Sequence, residues 1–199
     1  MALMKTVMPA SDTVFPEELI YMNTIIELMK QDPLRREALE YVSQLGLPQC
    51  YIAAGFVRNL VWDHLHHFET STPLNDVDVI YFDPSENGVD TYQIYESKLS
   101  QQIHTLNWQV RNQALMHLRN GDEPYLSSVD AMSYWPEKET AVGIRQIGTN
   151  EYECISAFGF DSLFALKLTP NPKRSYSVFE SRMKAKNWLE HWPVLKVES

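Results

Sequence analysis

Pairs of acidic residues two positions apart are the first feature of this sequence that could do chemistry. On a β-strand, residues i and i+2 project from the same face, so two carboxylates at that spacing can hold a divalent cation together. Three such pairs occur in the chain: Asp76/Asp78, Glu137/Glu139 and Glu151/Glu153. Since the chain has 26 acidic residues among 199, random placement gives about three pairs. The spacing alone therefore does not select among them.

The residues around each pair indicate which one is a candidate metal site. The second pair follows a proline among charged residues and the third lies in a polar hairpin arm, so we expect both on the solvated surface. Asp76 and Asp78 begin a run of β-branched and aromatic residues, 76–82, that is typical of a central strand. A buried pair of like charges is costly unless a cation compensates it. Asp76 and Asp78 are therefore the pair whose context fits a site for a divalent cation.

A glycine about twenty residues before the aspartates marks a second candidate element. Gly55 ends a short apolar run, 50–54, and is followed by residues with helical spacing, a pattern that predicts a strand, a sharp turn and a helix. The backbone N–H groups and the dipole at a helix N-terminus favour a bound phosphate group. The turn at Gly55 is therefore a candidate phosphate-binding element.

The rest of the chain supplies the elements that must position these residues. Helical spacing predicts two N-terminal helices, one beginning at Pro16 and one beginning at Pro33 and ending at Gly46. Further helices are predicted at 56–67, 88–106, 127–132, 160–168 and 178–192. Strands are predicted at 50–54, 76–82, 108–116, 140–147 and 151–156. This order predicts a mixed sheet covered by helices.

Length and composition indicate one globular domain. The chain has 199 residues, of which 44% are hydrophobic and 22% are charged, which is enough for a single core. We expect a helical N-terminal extension over 1–46, a core over 47–170 and a C-terminal helix over 171–199. The N-terminus lacks a signal-peptide pattern and no apolar run approaches the roughly 18 residues of a membrane span, so we expect a cytoplasmic protein without membrane contact.

The net charge, the cysteines, the histidines and the basic C-terminal residues limit which classes of partner and site the protein can have. The net charge of −9 disfavours a long nucleic acid as partner, because binding a polyphosphate needs clustered Lys and Arg. We expect Cys50 and Cys154 to be buried reduced thiols, and His64 and His67 to lie on an exposed helix end. We expect the basic residues of the C-terminal region to form a solvated helix face, with contact to a nucleotide or acceptor as the alternative: Arg174, Arg182, Lys184 and Lys186.

The glycine turn and the aspartate strand together resemble the polymerase-β-like nucleotidyltransferase superfamily. The resemblance lies in residues 54–59, AGFVRN, and 75–82, NDVDVIYF. Further blocks resemble a bacterial group of nucleotidyltransferase-like proteins: 108–114, 135–137, 140–145 and 186–189. The resemblance covers about residues 47–195. It implies an α+β fold with a mixed β-sheet of the polymerase-β-like type and flanking N- and C-terminal helices.

The resemblance also implies a mechanism. Asp76 and Asp78 would hold Mg2+ or Mn2+ at the triphosphate of a nucleotide, and an acceptor hydroxyl would attack the α-phosphorus. Gly55, Arg58 and Asn59 would lie near the phosphates, although an ion pair of Arg58 with Asp63 or Asp76 is the alternative. The sequence identifies neither the acceptor nor the oligomeric state.

Active members of the superfamily usually carry a third carboxylate on a neighbouring strand. The strand predicted at 108–116 carries Arg111 and Asn112 but no acidic residue. Asn112 is therefore a candidate weak third ligand, and Asp130 is a candidate ligand or base from the following segment. Two alternatives to a transferase stay open: a nucleotide-binding or interaction module without catalysis, and a metal-dependent phosphohydrolase that uses the same aspartates.

Overall fold

A computed structural model describes residues 16–88 and 90–198 of the chain. The expectation about a signal peptide falls on residues 1–15 and lies outside the described residues. The elements are, in chain order, α1 (Pro16–Gln31), α2 (Pro33–Ser43), β1 (Tyr51–Ala53), α3 (Gly55–Leu65), β2 (Asp76–Tyr81), α4 (Thr91–Gln102), β3 (Asn107–Asn112), α5 (Gln113–Asn120), α6 (Ser128–Met132), a 3-10 helix (Lys138–Thr140), β4 (Val142–Gly148), β5 (Glu151–Ser156), α7 (Asp161–Phe164), β6 (Lys167–Leu168), α8 (Tyr176–Ala185), α9 (Trp188–His191) and β7 (Lys196–Val197).

Five strands form a mixed sheet in the order β3-β2-β1-β4-β5. Strands β2 and β3 are parallel, and the other neighbouring pairs are antiparallel. Strands β6 and β7 form a separate parallel pair. The structure confirms the predicted α+β fold with a mixed sheet and helices before and after it. Within the described ranges, no helix combines the length and apolar composition needed to cross a bilayer.

The two faces of β2 have different surroundings, because successive side chains on a strand alternate between faces. Val77, Val79 and Tyr81 are buried in the main hydrophobic core. Ile80 belongs to a smaller cluster on the other face of the sheet. Asp76 and Asp78 lie on the same face of β2 as Ile80. Of these three residues only Ile80 belongs to the smaller cluster, so the start of the strand on this face is available to polar side chains.

The two N-terminal helices begin at Pro16 and Pro33, as the sequence predicts, but α2 ends at Ser43, three residues before the predicted stop at Gly46. The Asp32 side chain caps α2 by accepting the Arg35 N–H at 3.0 Å, and Pro33 occupies the first turn. The Arg35 side chain is buried and donates from Nε to the Phe56 carbonyl at 3.1 Å. This hydrogen bond ties α2 to the first turn of α3.

The strand predicted at 108–116 is wrong beyond residue 112. Strand β3 ends at Asn112, and residues 113–120 form α5. The Asn112 side chain caps this helix by accepting the Ala114 N–H at 3.1 Å, and Gly121 ends it in the left-handed conformation. The apolar residues after Asn112 fit a short helix as well as a strand, so the cap decides between them.

Two predicted helices near the C-terminus are shorter than the sequence suggests. The helix predicted at 160–168 ends at Phe164, and Leu166 has a left-handed φ of 53° before β6. The C-terminal helix is also wrong as a single element, since it is split into α8 and α9 by Asn187, whose φ is 50°. The reversal at Asn187 directs α9 back onto α3.

Helix α9 and the residues after it are anchored to α3 through buried aromatic side chains. Trp188 and Trp192 are each 3% exposed. The buried Asp63 carboxylate accepts the Trp192 indole N–H at 2.8 Å. It also accepts the Thr72 N–H and hydroxyl, each at 2.7 Å. Asp63 therefore joins α3, the loop before β2 and the C-terminal region.

We predict that Asp63→Ala lowers the free energy of unfolding by about 3 kcal/mol. The substitution leaves the buried indole N–H of Trp192 and the Thr72 donors without their acceptor. Urea denaturation followed by circular dichroism measures the change. Glu69→Ala, an exposed acid nearby, is the control and should change stability by less than about 0.5 kcal/mol; equal effects of the two variants would contradict the role given to Asp63.

Candidate active site

A cleft of about 510 Å3 opens beside the start of β2. Its walls are the first turn of α3, the loop 72–75 and the segment from the end of α8 to Trp192. The cleft brings together all five residues predicted for metal and phosphate binding: Gly55, Arg58, Asn59, Asp76 and Asp78. It is therefore the candidate active site.

The two aspartates occupy the first and third positions of β2, so both lie on the same face of the strand. The Asp76 side chain is 45% exposed, and its Oδ1 accepts the Asn107 side-chain amide at 2.7 Å. Asp78 is half-buried and lies in register between Ala53 of β1 and Gln109 of β3. The prediction of a buried pair is thus wrong for Asp76, because the strand begins at the edge of the cleft.

The surroundings of Asp78 favour a nearby cation. Burial raises the pKa of this carboxyl above its ordinary value, and the charge of Asp76 raises it further. The positive charges of Arg58, Lys186 and Arg182 oppose the shift but do not cancel it. Two carboxylates on one face supply the oxygen ligands that Mg2+ and Mn2+ prefer. The donor set and its charge therefore fit a divalent cation.

Arg58 is a buried cation whose direct hydrogen-bond partners are neutral. Its Nη1 donates to the Thr140 hydroxyl at 2.5 Å, and Nη2 donates to the Asn59 amide oxygen at 2.9 Å. The guanidinium carbon lies 4.4 Å from the ring centroid of Trp188 and 5.0 Å from that of Trp62. Burial lowers the pKa of Arg58 to about 10, and the charge of Glu137 opposes this effect. These contacts hold the guanidinium at the cleft, and the nearby charges of Glu137, Asp78 and Glu139 partly offset the cost of its burial.

The turn before α3 has an unusual backbone conformation at Ala54, one residue before Gly55, where the sequence predicts the sharp turn. Ala54 has φ 56° and ψ −126°, a conformation that is costly for a residue with a side chain. Its N–H donates to the Val142 carbonyl at 3.0 Å, which holds the turn against β4. A Cβ atom at Gly55 would lie 3.4 Å from the Asn59 amide and 3.5 Å from the Arg58 guanidinium. Gly55 therefore keeps the space beside both donors open.

The second acidic pair lies inside the protein, contrary to the surface location expected from its sequence context. Glu137 is 0% exposed and Glu139 is 1% exposed. Glu137 pairs with Arg182 at 2.6 Å, and Glu139 accepts the Thr169 N–H at 2.9 Å. Because these partners are 30 or more positions away in the chain, the local sequence does not show them. The pair supports the wall of the cleft that carries Thr140.

The basic residues of the C-terminal region have separate roles. Arg182 and Lys186, four positions apart and so on one side of the chain, both line the cleft. Lys184 projects to solvent and pairs with Glu180, and Arg174 pairs with Asp122. The expectation of a solvated helix face is wrong for Arg174, which precedes α8 and whose side chain is 20% exposed. The side chains of Arg182 and Lys186 are 40% and 54% exposed and line the cleft, so contact with a nucleotide or acceptor stays the alternative for them.

The structure does not bring the two candidate third ligands to the aspartates. Asn112 lies three residues beyond Gln109 on β3, roughly 10 Å along the strand, and its side chain holds the Asp83 backbone. Asp130 accepts the Leu126 N–H next to α6. Within residues 16–88 and 90–198, no group of three or more His, Cys, Asp or Glu is placed to hold a metal ion. Gln109, which sequence reasoning missed, is the β3 neighbour of Asp78.

A family model described as nucleotidyltransferase matches residues 40–197 of the chain. The chain belongs to this nucleotidyltransferase family. The match includes the strand with Asp76 and Asp78, the turn at Gly55 and the basic residues at the end of α8. No curated protein matches the sequence significantly.

Solved structures similar to this nucleotidyltransferase include two that are described as CCA-adding enzymes. An NMR structure described as a CCA-adding enzyme head domain is 30% identical, with a TM-score of 0.78, and the match covers 89% of this chain and 95% of that one. A CCA-adding enzyme in complex with CTP is 12% identical, with a TM-score of 0.51, and the match covers 94% of this chain and 41% of that one. The second likeness shows the fold alone.

We predict that Asp78→Asn stabilises the nucleotidyltransferase at pH 7 by about 1 kcal/mol, in the range common for functional residues. Because folding raises the pKa of Asp78, the folded state binds the proton more tightly, and ionisation lowers stability as the pH rises above the ordinary carboxyl value. The advantage of the variant should therefore shrink toward pH 4. Urea denaturation without divalent cations, between pH 4 and 7, measures it.

The matched control for this experiment is Glu151→Gln, since Glu151 is an exposed acid from the third pair. Its stability should follow that of the unsubstituted protein across the same pH range. A destabilised Asp78→Asn protein at pH 7 would contradict the unfavourable burial assigned to this carboxylate.

Proposed function

We propose that the chain transfers a nucleoside monophosphate from a nucleoside triphosphate to a hydroxyl acceptor, with Mg2+ or Mn2+ held by Asp76 and Asp78. One observation carries the proposal: in a member of the nucleotidyltransferase family, both carboxylates open into the same cleft as three cationic side chains. The cations are Arg58, Arg182 and Lys186. A triphosphate with its metal ion needs this combination of negative and positive groups.

The aspartates are the proposed metal ligands because their oxygens share one face and their repulsion is relieved by a cation. When bound, a divalent ion acts as a Lewis acid at the phosphate oxygens and neutralises charge that develops in the transition state. Asp76 is the more accessible ligand, and Asp78 is the one whose charge is least favourable without a cation. The two aspartates therefore differ in their access to solvent and in how much a bound cation would stabilise their charge.

Arg58, Asn59 and the backbone at Gly55 are the proposed phosphate contacts. The rings of Trp62 and Trp188 and the hydroxyl of Thr140 hold the Arg58 side chain before any nucleotide binds. Donors fixed in advance are not reorganised during the reaction, which is the main source of electrostatic catalysis. Membership of the nucleotidyltransferase family supports a nucleoside triphosphate as the donor.

In the proposed reaction, the acceptor oxygen forms a bond to the α-phosphorus, and the bond from that phosphorus to the bridging oxygen of pyrophosphate breaks. The acceptor hydroxyl gives its proton to solvent water, and pyrophosphate leaves with the electron pair of the broken bond. The chain contributes by positioning the triphosphate and compensating its charge.

Gln109 favours a second candidate function, a module that binds nucleotides without transferring them. Its side chain lies next to Asp78 on the neighbouring strand, and its Oε1 accepts a hydrogen bond from Arg111 at 2.8 Å. A neutral amide at this position offers weaker metal binding than a carboxylate and no base. Binding and turnover must therefore be measured separately.

We predict that Asp76→Asn and Asp78→Asn each weaken metal-dependent nucleotide binding by at least about 100-fold, since each removes a direct ligand. Isothermal titration calorimetry with Mg2+ and each of the four ribonucleoside triphosphates measures binding. Assays of pyrophosphate and of inorganic phosphate release, with a panel of hydroxyl acceptors, measure turnover. Glu151→Gln, from an acidic pair outside the cleft, should bind like the unsubstituted protein.

The products separate the candidate functions. Acceptor-dependent pyrophosphate release that is lost in the aspartate variants is the expected result. Tight binding without turnover on any acceptor would favour the binding module, and phosphate release without an acceptor would favour a metal-dependent phosphohydrolase. Nucleotide binding that is unchanged by both aspartate substitutions would overturn the site itself.

A further inference from the structure

Lys186 stands apart from the other cations of the cleft because it approaches a proposed metal ligand directly. Its Nζ lies 3.9 Å from Oδ2 of Asp76. Arg182 is instead paired with the buried Glu137, and Arg58 donates to neutral oxygens. Lys186 thus supplies positive charge where the proposed divalent cation binds.

The backbone of Lys186 is held on both sides, while its side chain is free to move. Four residues earlier, Arg182 is anchored by its ion pair with Glu137. Two residues later, Trp188 is 3% exposed and covers the Arg58 guanidinium. The Lys186 side chain itself is 54% exposed. A long flexible side chain on a fixed backbone position can reach more than one partner within the cleft.

The ion pair between Lys186 and Asp76 is weak, so Lys186 can leave it for another partner. Both side chains are about half exposed, and the two charged atoms are close to the upper limit of ion-pair distance. Exposed pairs of this type contribute little stability. A triphosphate is a much stronger anionic partner for an ammonium group, because it carries several negative charges in the same cleft.

We propose that Lys186 exchanges partners when the nucleotide binds. In the free protein its ammonium group neutralises Asp76, and in the nucleotide complex it binds phosphate oxygens while the aspartates hold a divalent cation. The inference rests on the proposed function and adds a residue that couples binding of the metal ion to binding of the nucleotide. Lys186 opposes a metal ion that arrives alone and favours one that arrives with a triphosphate, so binding of the two becomes cooperative.

This exchange predicts opposite effects from one substitution. Lys186→Met keeps the length of the side chain and removes its charge. The variant should bind Mn2+ alone about two- to fivefold more tightly, because the competing ammonium is gone. It should bind a triphosphate in the presence of Mg2+ about tenfold more weakly, because a charged phosphate contact is lost. A merely structural role for Lys186 would not separate the two affinities in this way.

The experiment measures both affinities on the full chain. Electron paramagnetic resonance of free Mn2+ gives the affinity for the metal alone. Calorimetry with Mg2+ and the α,β-methylene analogues of ATP and CTP gives the nucleotide affinity without turnover. Lys184→Met is the matched control from the same helix, since Lys184 pairs with Glu180 at 2.9 Å outside the cleft. Lys186→Arg retains the charge and should restore both affinities toward those of the unsubstituted protein.

The outcomes distinguish the inference from the proposed function. Opposite shifts in Lys186→Met, with little change in Lys184→Met, support the exchange. If the unsubstituted protein binds metal and analogue but Lys186→Met leaves both affinities unchanged, or shifts them in the same direction, the exchange is overturned and the proposed function stands. An unsubstituted protein that binds neither the analogues nor any of the four ribonucleoside triphosphates overturns the proposed function, and the exchange with it.

Discussion

The placement of the Arg58 guanidinium is the interaction on which the organisation of the site depends. Arg58 belongs to α3, donates to Thr140 at the end of the 3-10 helix, and stacks against Trp188 of α9. Three parts of the chain that are far apart in sequence therefore meet at one side chain. A buried cation is costly unless its surroundings compensate it, and here two aromatic faces, two neutral oxygens and the charges of Glu137, Asp78 and Glu139 do so in part. The remaining positive charge is available to an anion in the cleft.

The same cleft holds charges of both signs in unfavourable positions. Burial and Asp76 raise the pKa of Asp78, and burial lowers the pKa of Arg58. The backbone at Ala54 adds strain of about 1–3 kcal/mol. Natural proteins keep such features where binding or catalysis needs them, and compensate them through packing elsewhere. The packed face of β2 and the tryptophans around α3 supply that compensation.

The elements nearest the site were the most predictable, because they follow strong local rules. The β-branched run of β2, the sharp turn before α3 and the hairpin of β4 and β5 each have a clear pattern, and the structure contains all three. The predictions that failed depended on single residues. Asn112 starts a helix instead of continuing a strand, and Asn187 splits the C-terminal helix. A side-chain cap or a left-handed residue changes an element's end without altering its hydrophobic pattern.

The sequence by itself determined the local chemistry: two aspartates on one face of a strand, and a turn that opens a helix beside Arg58. The sequence also indicated the family, because each of these motifs is an unbroken stretch of residues that can be recognised without the structure. Only the tertiary structure decided which acids are buried, because the partners of Glu137 and Glu139 lie far along the chain. It also decided that Gln109, not Asn112, is the neighbour of Asp78 on β3, and that Arg182 and Lys186 line the cleft. These are contacts between distant segments, and they depend on strand register and helix packing that no local pattern encodes.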